Sequence, residues 1–515
     1  MDTAAQDTLW RWLERHAEDI PEAAAIVGPA GKTTYGDLVG QVAAVAAGLQ
    51  GLGLAKGDVV AVQLPNIEAY VVAFLAVTAC GGIVQTLHMP YRQAEFGHLL
   101  GHSKARMAIG LANFKDISPA VEMLRLGTDL PMLERVVAVG GPVEGAVSFG
   151  DLLQTQSAPD LPELTPDDPF LLLYTSGTTA SPKGVPHAYR GFLGNAARSA
   201  EQLGIAPGET MLSVAPYTHL YGLFVMHLCL ATGATQGLLP AFDPRTFLPL
   251  LSEMKPAGIF AAPAHFAPFC AAGKITPAHL AATRFTCLSG STVPPTLAEQ
   301  VDDLMETGDV IQLWGMSELQ AGTFGRTSDP RRSRLTTAGR ASEATELRVV
   351  GGEGDVLPAG EEGELQVRGP SVFAGYLDNA AETDAAFTEG GWFRTGDLAV
   401  LDADGFLTLT GRVKEIINRG GVKYNPVDVE AHILKLDAVE ACAIVPYPDP
   451  DLGERGCLCV QLHKGQSLSL EEVTTWLQDA GIAKYKWPER LEIIDALPQT
   501  PTRKIMRGTL KQMIA

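Results

Sequence analysis

Two hydrophobic patterns alternate along the first two thirds of the chain. Residues 59–64 and 135–139 are short apolar runs typical of buried strands, whereas residues 38–52 repeat apolar positions at helical spacing. Further strand-like runs at residues 258–261 and 285–288 continue the alternation. This pattern predicts an α/β fold in which helices cover the faces of the sheets.

The pattern changes to hairpins beyond Arg340. Residues 392–401 and 406–410 read as two strands joined across Asp402-Ala-Asp-Gly405, which is strong turn chemistry. We therefore expect residues 1–411 to form a large N-terminal domain of α/β sheets, whose residues 340–411 make an antiparallel β subdomain.

Residues 412–515 have the size and the mixed pattern of a small α+β domain. Asn425-Pro426 is a well-formed helix start, with Asn as the N-cap and Pro in the first turn. Residues 484–515 contain more Lys and Arg than Asp and Glu, although the chain as a whole is acidic. This basic stretch at residues 484–515 is a candidate binding site for anionic ligands.

Charge and cysteine content narrow the class of protein. The net charge of −20 over 515 residues argues against nucleic acid or anionic membrane as a partner. The seven cysteines show no metal-site spacing, which favours free thiols in a reducing compartment. Residues 69–84 are apolar but too short for a membrane span, so we expect a buried helix leading into a strand. A cytoplasmic enzyme, monomeric or homodimeric, is the expectation.

The chemistry is densest in residues 171–187, where an apolar strand changes abruptly into Thr-Ser-Gly-Thr-Thr-Ala-Ser-Pro-Lys-Gly. Glycines, hydroxyls and one lysine suit a phosphate group, because backbone NH groups and hydroxyls can donate to it. A P-loop nucleoside triphosphatase would need four residues between Gly and Gly-Lys. Here five residues separate Gly177 from Lys183, and Gly184 follows the lysine, which excludes that class.

This stretch resembles the phosphate loop of the adenylate-forming superfamily, which includes acyl- and aryl-CoA synthetases, luciferases and the adenylation domains of peptide synthetases. Ala180 departs from the pattern, since that family usually has glycine there. The resemblance is closest to acyl- or aryl-CoA synthetases, and its motifs extend from Thr33 to Lys504.

The resemblance assigns an ATP site to residues spread over the chain. Trp314-Gly-Met-Ser-Glu318 is similar to the superfamily's aromatic-Gly-x-Thr-Glu motif, so Trp314 would stack on adenine and Glu318 would hold Mg²⁺ together with Thr178. Asp397 resembles the ribose-binding carboxylate, and Arg412 its neighbour at the ribose. The full set of implied ATP or AMP contacts is Thr175, Ser176, Gly177, Thr178, Thr179, Lys183, Gly290, Ser291, Trp314, Gly315, Ser317, Asp397, Arg412 and Lys504.

The resemblance also assigns the acyl pocket and the moving parts. The implied pocket residues are His219, Gly222, Leu223, His265, Gly290 and Met316. This is an apolar set with two imidazoles, which favours a small to medium monocarboxylate over a dicarboxylate or an amino acid. Lys414 corresponds to the hinge of a mobile C-terminal lid, and Gly420 and Gly421 to the tunnel for CoA. Lys504 corresponds to the catalytic lysine, although Arg503 stands where the family has glycine.

The resemblance implies an ATP-dependent carboxylate-CoA ligase that forms acyl-AMP with release of pyrophosphate and then transfers the acyl group to CoA with release of AMP. Catalysis would fall to Lys504, Thr178 and Glu318, with ATP, Mg²⁺ and CoA as cofactors. Two alternatives stay open: an adenylating enzyme that loads an acyl-carrier protein, and a catalytically silent nucleotide-binding regulator with the same fold.

Overall fold

The computed structural model describes residues 7–115, 117–175, 182–419, 422–450, 452–500 and 504–514. The chain forms two compact units. Unit 1 comprises Met1–Thr175, Lys183–Glu346 and Arg368–Ala385. Unit 2 comprises Ser176–Pro182, Leu347–Val367 and Ala386–Ala515.

The helices of the described chain are α1 (Leu9–Asp19), α2 (Tyr35–Gly51), α3 (Glu68–Ala79), α4 (Gln93–Ser103), α5 (Pro119–Leu126), α6 (Phe149–Leu152), α7 (Tyr189–Gln202), α8 (Leu220–Thr232), α9 (Phe247–Met254), α10 (Pro263–Ala271), α11 (Pro277–Leu280), α12 (Pro295–Asp303), α13 (Arg331–Thr336), α14 (Ala380–Ala386), α15 (Pro426–Ile433), α16 (Leu470–Asp479) and α17 (Arg507–Ile514).

The strands are β1 (Ala24–Gly28), β2 (Gly31–Thr34), β3 (Val59–Gln63), β4 (Ile83–Thr86), β5 (Met107–Leu111), β6 (Arg135–Val139), β7 (Val147–Ser148), β8 (Pro169–Thr175), β9 (Lys183–Ala188), β10 (Thr210–Ser213), β11 (Thr235–Gly237), β12 (Gly258–Ala261), β13 (Phe285–Leu288), β14 (Asp309–Met316), β15 (Gln320–Phe324), β16 (Arg340–Ala341), β17 (Glu346–Val350), β18 (Glu362–Arg368), β19 (Phe393–Leu401), β20 (Leu407–Arg412), β21 (Ile417–Arg419), β22 (Val422–Tyr424), β23 (Val439–Asp449), β24 (Gly453–Leu462) and β25 (Arg490–Ile493).

Unit 1 contains two largely parallel sheets. The nine-stranded sheet has the order β16-β15-β14-β13-β12-β10-β11-β1-β2, and the seven-stranded sheet has the order β7-β6-β5-β3-β4-β8-β9. Strands β10 to β14 run parallel, as do β3 to β8, so within each sheet their carboxyl ends lie at one edge. The predicted α/β fold with helix-covered sheets is confirmed.

Two almost wholly buried helices supply much of the core of unit 1. Helix α3 buries every residue from Tyr70 to its end, and α8 buries every residue from Leu220 to Leu230. Residues 69–84, predicted as a buried helix leading into a strand, are α3 followed by β4. Across the described ranges, no helix combines the length and apolar character that a membrane crossing requires.

Unit 2 contains antiparallel strands and a mixed sheet. Strands β17-β18-β19-β20 form a four-stranded sheet, which confirms the predicted hairpins. In the five-stranded sheet, β22-β21-β24-β23 are antiparallel and β25 lies parallel to β24. Asn425 caps α15 by accepting from the Val427 NH at 3.1 Å, as its sequence predicts. Unit 2 contains β19 and β20 together with the C-terminal segment. The domain boundary expected at residues 411–412 stays a prediction.

Candidate active site

Predicted pocket segments follow the ends of neighbouring parallel strands in the nine-stranded sheet. The segments are 216–223 after β10, 262–265 after β12, 289–294 after β13, and 314–318 at and after the end of β14. Side chains connect these strands, since the Tyr221 hydroxyl donates to the Cys287 carbonyl on β13 at 2.8 Å and Ser289 Oγ donates to the Leu313 carbonyl on neighbouring β14 at 2.7 Å. In open α/β sheets, ligands bind at this carboxyl edge.

Both predicted pocket histidines stand at helix starts. The Nδ1 atom of His219 accepts from the Tyr221 NH at 3.2 Å, and that of His265 accepts from the Ala262 NH at 3.1 Å. An accepting Nδ1 leaves the ring proton on Nε2 in a neutral imidazole. The His265 ring also packs at 4.7 Å from the ring of Phe242. Each imidazole is thus fixed in orientation and tautomer by its own helix.

Gly222 and Leu223 lie in the first turn of α8. A Cβ atom at Gly222 would stand 2.3 Å from the Pro216 carbonyl oxygen, so glycine there permits close packing of backbone. Leu223 is fully buried. Gly290 is exposed and has φ of +89°, a conformation that favours glycine. Close backbone packing explains the glycine at 222, and a positive φ explains the glycine at 290. The pocket roles of Gly222, Leu223 and Gly290 stay predictions.

Segments of the seven-stranded sheet meet the segment after β10. Asn66, which follows β3, donates to the Ala215 carbonyl at 2.9 Å and accepts from the Tyr217 NH at 2.6 Å. The Tyr70 hydroxyl donates to the Tyr217 carbonyl at 2.7 Å. The carboxyl edges of the two sheets are therefore joined within unit 1.

His88, which follows β4, makes a second connection. Its Nδ1 lies 3.1 Å from Thr218 Oγ1, and its ring stacks on that of His219 with centroids 6.1 Å apart. Burial, helped by the neighbouring His219, lowers the pKa of His88 to about 3, so the ring is neutral near pH 7. A neutral imidazole beside the predicted acyl pocket adds polarity without charge.

Lys183 and Thr175 face each other where the phosphate-loop hairpin begins and ends. They are register partners at the ends of β9 and β8. Lys183 forms an ion pair with Glu382, and its Nζ lies 4.6 Å from the centroid of the Tyr376 ring. The Lys183 ammonium group therefore lies where the predicted phosphate loop ends, in contact with the Glu382 carboxylate and the face of the Tyr376 ring.

Glu318 lies in the turn between β14 and β15 and is buried. Its Oε1 accepts from the Tyr376 hydroxyl at 3.0 Å, and its carbonyl accepts from the Phe373 NH at 2.8 Å. Burial and the charge of Glu318 raise the pKa of Tyr376, which keeps the hydroxyl protonated as a donor. A single oriented carboxylate of this kind fits Mg²⁺, which takes one or two carboxylates together with substrate phosphate oxygens.

Two further side chains stabilise the turn that contains Glu318 and the start of β15 that follows it. His187 Nε2 donates to the Ser317 carbonyl at 2.6 Å, and burial lowers the pKa of His187 to about 4. Asn195 Nδ2 donates to Gln320 Oε1 and to the Ala321 carbonyl, both at 3.0 Å. Because His187 is on β9, the phosphate-loop hairpin is tied directly to the turn that carries Glu318.

Trp314 and Gly315 show why this motif forms a tight hairpin. Trp314 is buried, and a Cβ atom at Gly322 would stand 2.4 Å from its ring. A Cβ atom at Gly315 would stand 2.0 Å from the Gln320 carbonyl oxygen. Met316, at the end of β14, is half-buried. Stacking of Trp314 on adenine stays a prediction, as do the contacts of Gly315, Met316 and Ser317 with ligands.

Unit 2 contains the remaining described candidates. Asp397 on β19 and Arg412 on β20 are register partners, with Arg412 Nε 2.7 Å from Asp397 Oδ1. Lys504 lies in their electrostatic reach: the charge of Arg412 does most to lower its pKa, burial adds to this, and Asp397 and Glu415 oppose it. The structure thus brings Asp397, Arg412 and Lys504 together, and their joint assignment to one nucleotide stays a prediction.

Arg507, three residues beyond Lys504, anchors that lysine's segment. Its guanidinium binds Glu430 through two contacts of 2.6 and 2.7 Å and Glu415 at 3.1 Å. Lys414, the predicted hinge, is exposed in a 3₁₀ turn after β20. Glu415 and Glu430 therefore link the hinge segment and α15 to the start of α17.

Several predicted residues have no described surroundings. Ser176, Gly177, Thr178, Thr179, Gly420 and Gly421 lie outside the described residues. Ser291 is described and exposed. The roles of all seven in binding ATP, Mg²⁺ or CoA stay predictions.

The sequence did not single out His88, His187, Asn195, Tyr376 or Glu382. Each acts through a partner far away in the chain, so no local pattern marks it. A signal was present at Gly375-Tyr376, where a glycine precedes an aromatic residue ahead of the predicted strand at residues 392–401. That signal points to a special turn but does not reveal its partner.

Two family models and several named relatives match this chain. A family model described as AMP-binding enzyme matches residues 13–377, and one described as AMP-binding enzyme C-terminal domain matches residues 428–504. A medium-chain fatty-acid–CoA ligase of Escherichia coli is 30% identical over 514 residues, covering 98% of this chain and 90% of that protein. A salicyl-AMP ligase / salicyl-S-ArCP synthetase of Mycobacterium tuberculosis is 32% identical over 523 residues, covering 100% and 90%.

The fold agrees as well. The solved structure of an anthranilate CoA ligase in complex with anthranoyl-AMP has a TM-score of 0.87 and 25% identity, covering 99% of this chain and 97% of that one. The matched family models take in most of the chain, including the segments of Lys183, Glu318 and Lys504. The chain therefore belongs to the AMP-binding enzyme family, which confirms the adenylate-forming resemblance of its motifs.

Proposed function

We propose that this protein is an ATP-dependent carboxylate-CoA ligase that works through an acyl-adenylate. The observation that carries the proposal is the chain of contacts from Lys183 through Tyr376 to Glu318. It joins a cation suited to phosphate with a carboxylate suited to Mg²⁺ beside the strand ends that carry the predicted acyl pocket. Relatives named as acyl-CoA ligases support the same reaction class.

The first half-reaction joins two anions. An oxygen of the carboxylate attacks the α-phosphorus of ATP, the bond from that phosphorus to the bridging oxygen breaks, and pyrophosphate leaves. Lys183 offsets phosphate charge at the foot of the loop, and Lys504 places positive charge at the forming bond. Asp397 accepts from the ribose hydroxyls, and Arg412 holds that carboxylate in place.

Glu318 would hold the magnesium ion, with Thr178 as its predicted companion. When bound, the ion neutralises charge on the phosphate oxygens. Tyr376 and Phe373 keep the Glu318 turn oriented toward that task, and His187 and Asn195 keep the turn attached to β9 and α7.

The second half-reaction transfers the acyl group to a thiol. The sulfur of CoA attacks the acyl carbon, the bond from that carbon to the phosphate oxygen of AMP breaks, AMP leaves, and the thiol proton passes to water. The mixed anhydride must be protected from water until then. A C-terminal lid turning about Lys414, with Gly420 and Gly421 beside the CoA tunnel, would provide this protection.

A small to medium apolar monocarboxylic acid fits the predicted pocket best, whether short aliphatic, alicyclic or aromatic. The histidines that follow β10 and β12 are held through Nδ1 in the neutral tautomer, and neighbouring His88 is neutral. These groups can donate single hydrogen bonds to a polar ring substituent but do not supply the fixed charge that a second carboxylate needs. We expect the protein to act in the cytoplasm as a monomer or homodimer.

A carrier protein is the alternative acyl acceptor. The relative from Mycobacterium tuberculosis is named both a salicyl-AMP ligase and a salicyl-S-ArCP synthetase, and it is as similar to this chain as the CoA ligase from Escherichia coli. In that case the acyl-adenylate would form normally and free CoA would be a poor acceptor. The silent regulator is the second alternative.

Mass spectrometry of products separates these functions. The purified protein is incubated with ATP, Mg²⁺ and a panel of carboxylic acids, with and without CoA. Acyl-CoA together with AMP is the expected result, and it identifies the preferred acid. Acyl-AMP without thioester would contradict CoA as the acceptor and favour a carrier protein. Neither product from the whole panel would contradict the enzymatic proposal.

A further inference from the structure

Residues 373–383 bridge the phosphate-loop hairpin and the Glu318 turn. The Phe373 NH donates to the Glu318 carbonyl at 2.8 Å, and the Leu377 NH donates to the Gly184 carbonyl at 2.9 Å. The Tyr376 NH donates to Thr383 Oγ1 at 2.9 Å. Tyr376 is thereby fixed between the two backbone segments that carry Glu318 and Lys183.

The side chain of Tyr376 contacts both functional groups. Its hydroxyl donates to Glu318 Oε1 at 3.0 Å, and Lys183 Nζ lies 4.6 Å from the centroid of its ring. Glu382, on α14 just beyond, pairs with the same ammonium group. One aromatic side chain therefore touches the predicted metal-binding carboxylate with its polar end and the predicted phosphate-binding cation with its face.

Other buried tyrosines of unit 1 have other partners: the Tyr174 hydroxyl lies 2.8 Å from His102 Nδ1, and the Tyr217 hydroxyl donates to Gln236 Oε1 at 3.4 Å. The hydroxyls of Tyr35, Tyr70, Tyr189 and Tyr221 donate to main-chain carbonyls at 2.7 to 3.0 Å, which is the usual way to satisfy a buried hydroxyl. Tyr376 donates instead to a carboxylate side chain and is only partly buried. A tyrosine that served packing alone would have no need for this acceptor.

We propose that Tyr376 is a positioning residue that couples Lys183 to Glu318 and so prepares the site for the metal complex of ATP. The inference rests on the function proposed above. The hydroxyl orients the Glu318 carboxylate without adding positive charge, so the carboxylate keeps its charge for a cation. The ring holds the Lys183 ammonium by cation–π attraction, and Glu382 holds it from another side. The tyrosine acts on ATP only through these neighbours.

The two ends of the side chain can be tested separately. Tyr376→Phe removes the hydroxyl and keeps the ring, whereas Tyr376→Leu removes both. Tyr35→Phe is the matched control, since it removes a buried hydroxyl that donates to the Ala234 carbonyl at 2.7 Å and contacts neither Glu318 nor Lys183 in any described hydrogen bond. Thermal unfolding of each variant checks that the fold is kept.

Equilibrium dialysis with a non-hydrolysable ATP analogue gives a readout that does not require turnover. For Tyr376→Phe we expect the Mg²⁺ concentration that half-saturates nucleotide binding to rise about tenfold, because a hydrogen bond to a charged group is lost. Binding of the analogue in EDTA should be unchanged. Tyr376→Leu should weaken binding in EDTA as well, and Tyr35→Phe should change neither. Wild-type Mg²⁺ dependence in Tyr376→Phe would overturn the proposal.

A double-mutant cycle distinguishes coupling from a loss of structure. If Tyr376 acts through Glu318, Tyr376→Phe adds nothing to the Mg²⁺ dependence of a Glu318→Gln protein. Additive losses in the double variant would overturn the proposal. The cycle uses only Tyr376→Phe and Glu318→Gln, so it can be measured even if Tyr376→Leu does not fold. These assays need no carboxylic acid. A wild-type protein that made no acyl-AMP but showed the expected coupling would refute the proposed function and retain the role of Tyr376.

Discussion

Glu318 of unit 1 and Asp397 of unit 2 are both buried carboxylates with a predicted binding role, but their donors differ. Glu318 accepts from the neutral hydroxyl of Tyr376, whereas Asp397 pairs with the guanidinium of Arg412 at 2.7 Å. A hydroxyl orients a carboxylate and leaves its charge in place, while a guanidinium balances that charge. The Tyr376 donor is thus compatible with the predicted cation at Glu318, and the Arg412 pair with the predicted ribose hydroxyls at Asp397.

Removing the charge of Glu318 should have the largest effect. Glu318→Gln keeps the shape and can still accept from Tyr376, but it no longer attracts a cation. We expect acyl-AMP formation, measured by pyrophosphate exchange, to fall about 100-fold. Glu346→Gln is the control, since that exposed carboxylate pairs with Arg368 on the surface. A wild-type rate of pyrophosphate exchange in Glu318→Gln would contradict the proposed role of the Glu318 charge in binding a cation.

Removing the charge of Asp397 should mainly affect ATP binding. Asp397→Asn loses an acceptor for the ribose diol, so we expect KM for ATP to rise about tenfold with a smaller change in kcat. Wild-type protein assayed with 2′-deoxyATP or 3′-deoxyATP should show a similar loss. If the rise in KM for Asp397→Asn with a deoxy substrate equals the sum, in free energy, of the rises caused by the variant alone and by the deoxy substrate alone, Asp397 does not bind the diol.

The pH dependence should shift in opposite directions when each member of the ion pair is changed. Lys504 must be protonated to act as a cation, so activity falls as pH rises through its pKa. Because Arg412 lowers that pKa and Asp397 raises it, Arg412→Gln should move the alkaline limit of adenylation to higher pH and Asp397→Asn to lower pH. Shifts in the same direction would contradict this arrangement.

Loosening the Glu318 turn should have the smallest effect. His187→Phe removes the bond to the Ser317 carbonyl, and we expect adenylation to slow about fivefold, with partial recovery in His187→Gln. Burial lowers the pKa of His187 from 6.5 to about 4, so the unfolded chain binds more protons in that range and stability falls as pH decreases. Denaturant melts between pH 6.5 and 4 should be less pH-dependent for His187→Gln. Equal slopes of unfolding free energy against pH in the wild-type protein and His187→Gln would contradict the lowered pKa of His187.

The local elements were largely predictable from the sequence. The runs at residues 135–139, 258–261 and 285–288 are strands with the same bounds, because buried parallel strands have short, uninterrupted apolar sequences. The motif at Trp314 was less predictable. It reads as a turn after a strand, but β14 continues to Met316 and pairs with β15, since Gly315 lets the Gln320 carbonyl approach.

The connections between site residues were not predictable in the same way. Glu318 meets Tyr376 across 58 positions, and Lys183 meets Glu382 across 199. Such pairs depend on how β9, β14 and α14 pack, and one sequence contains no periodic signal for that packing. Motif resemblance predicted which residues carry the chemistry, and the structure shows which neighbours orient them.

The pocket segments at the ends of β10, β12 and β13 have a consequence for evolution. Each wall of the predicted acyl pocket is a separate short segment after a strand, while Lys183 and Glu318 are held by their own hydrogen bonds and ion pairs. We therefore expect changes at His219 or His265 to alter the preferred acid without disturbing the phosphate chemistry proposed for Lys183 and Glu318. We expect descendants of this chain to acquire new acids mainly by exchange of these segments, and libraries restricted to them to retain pyrophosphate exchange more often than libraries spread over the whole of unit 1.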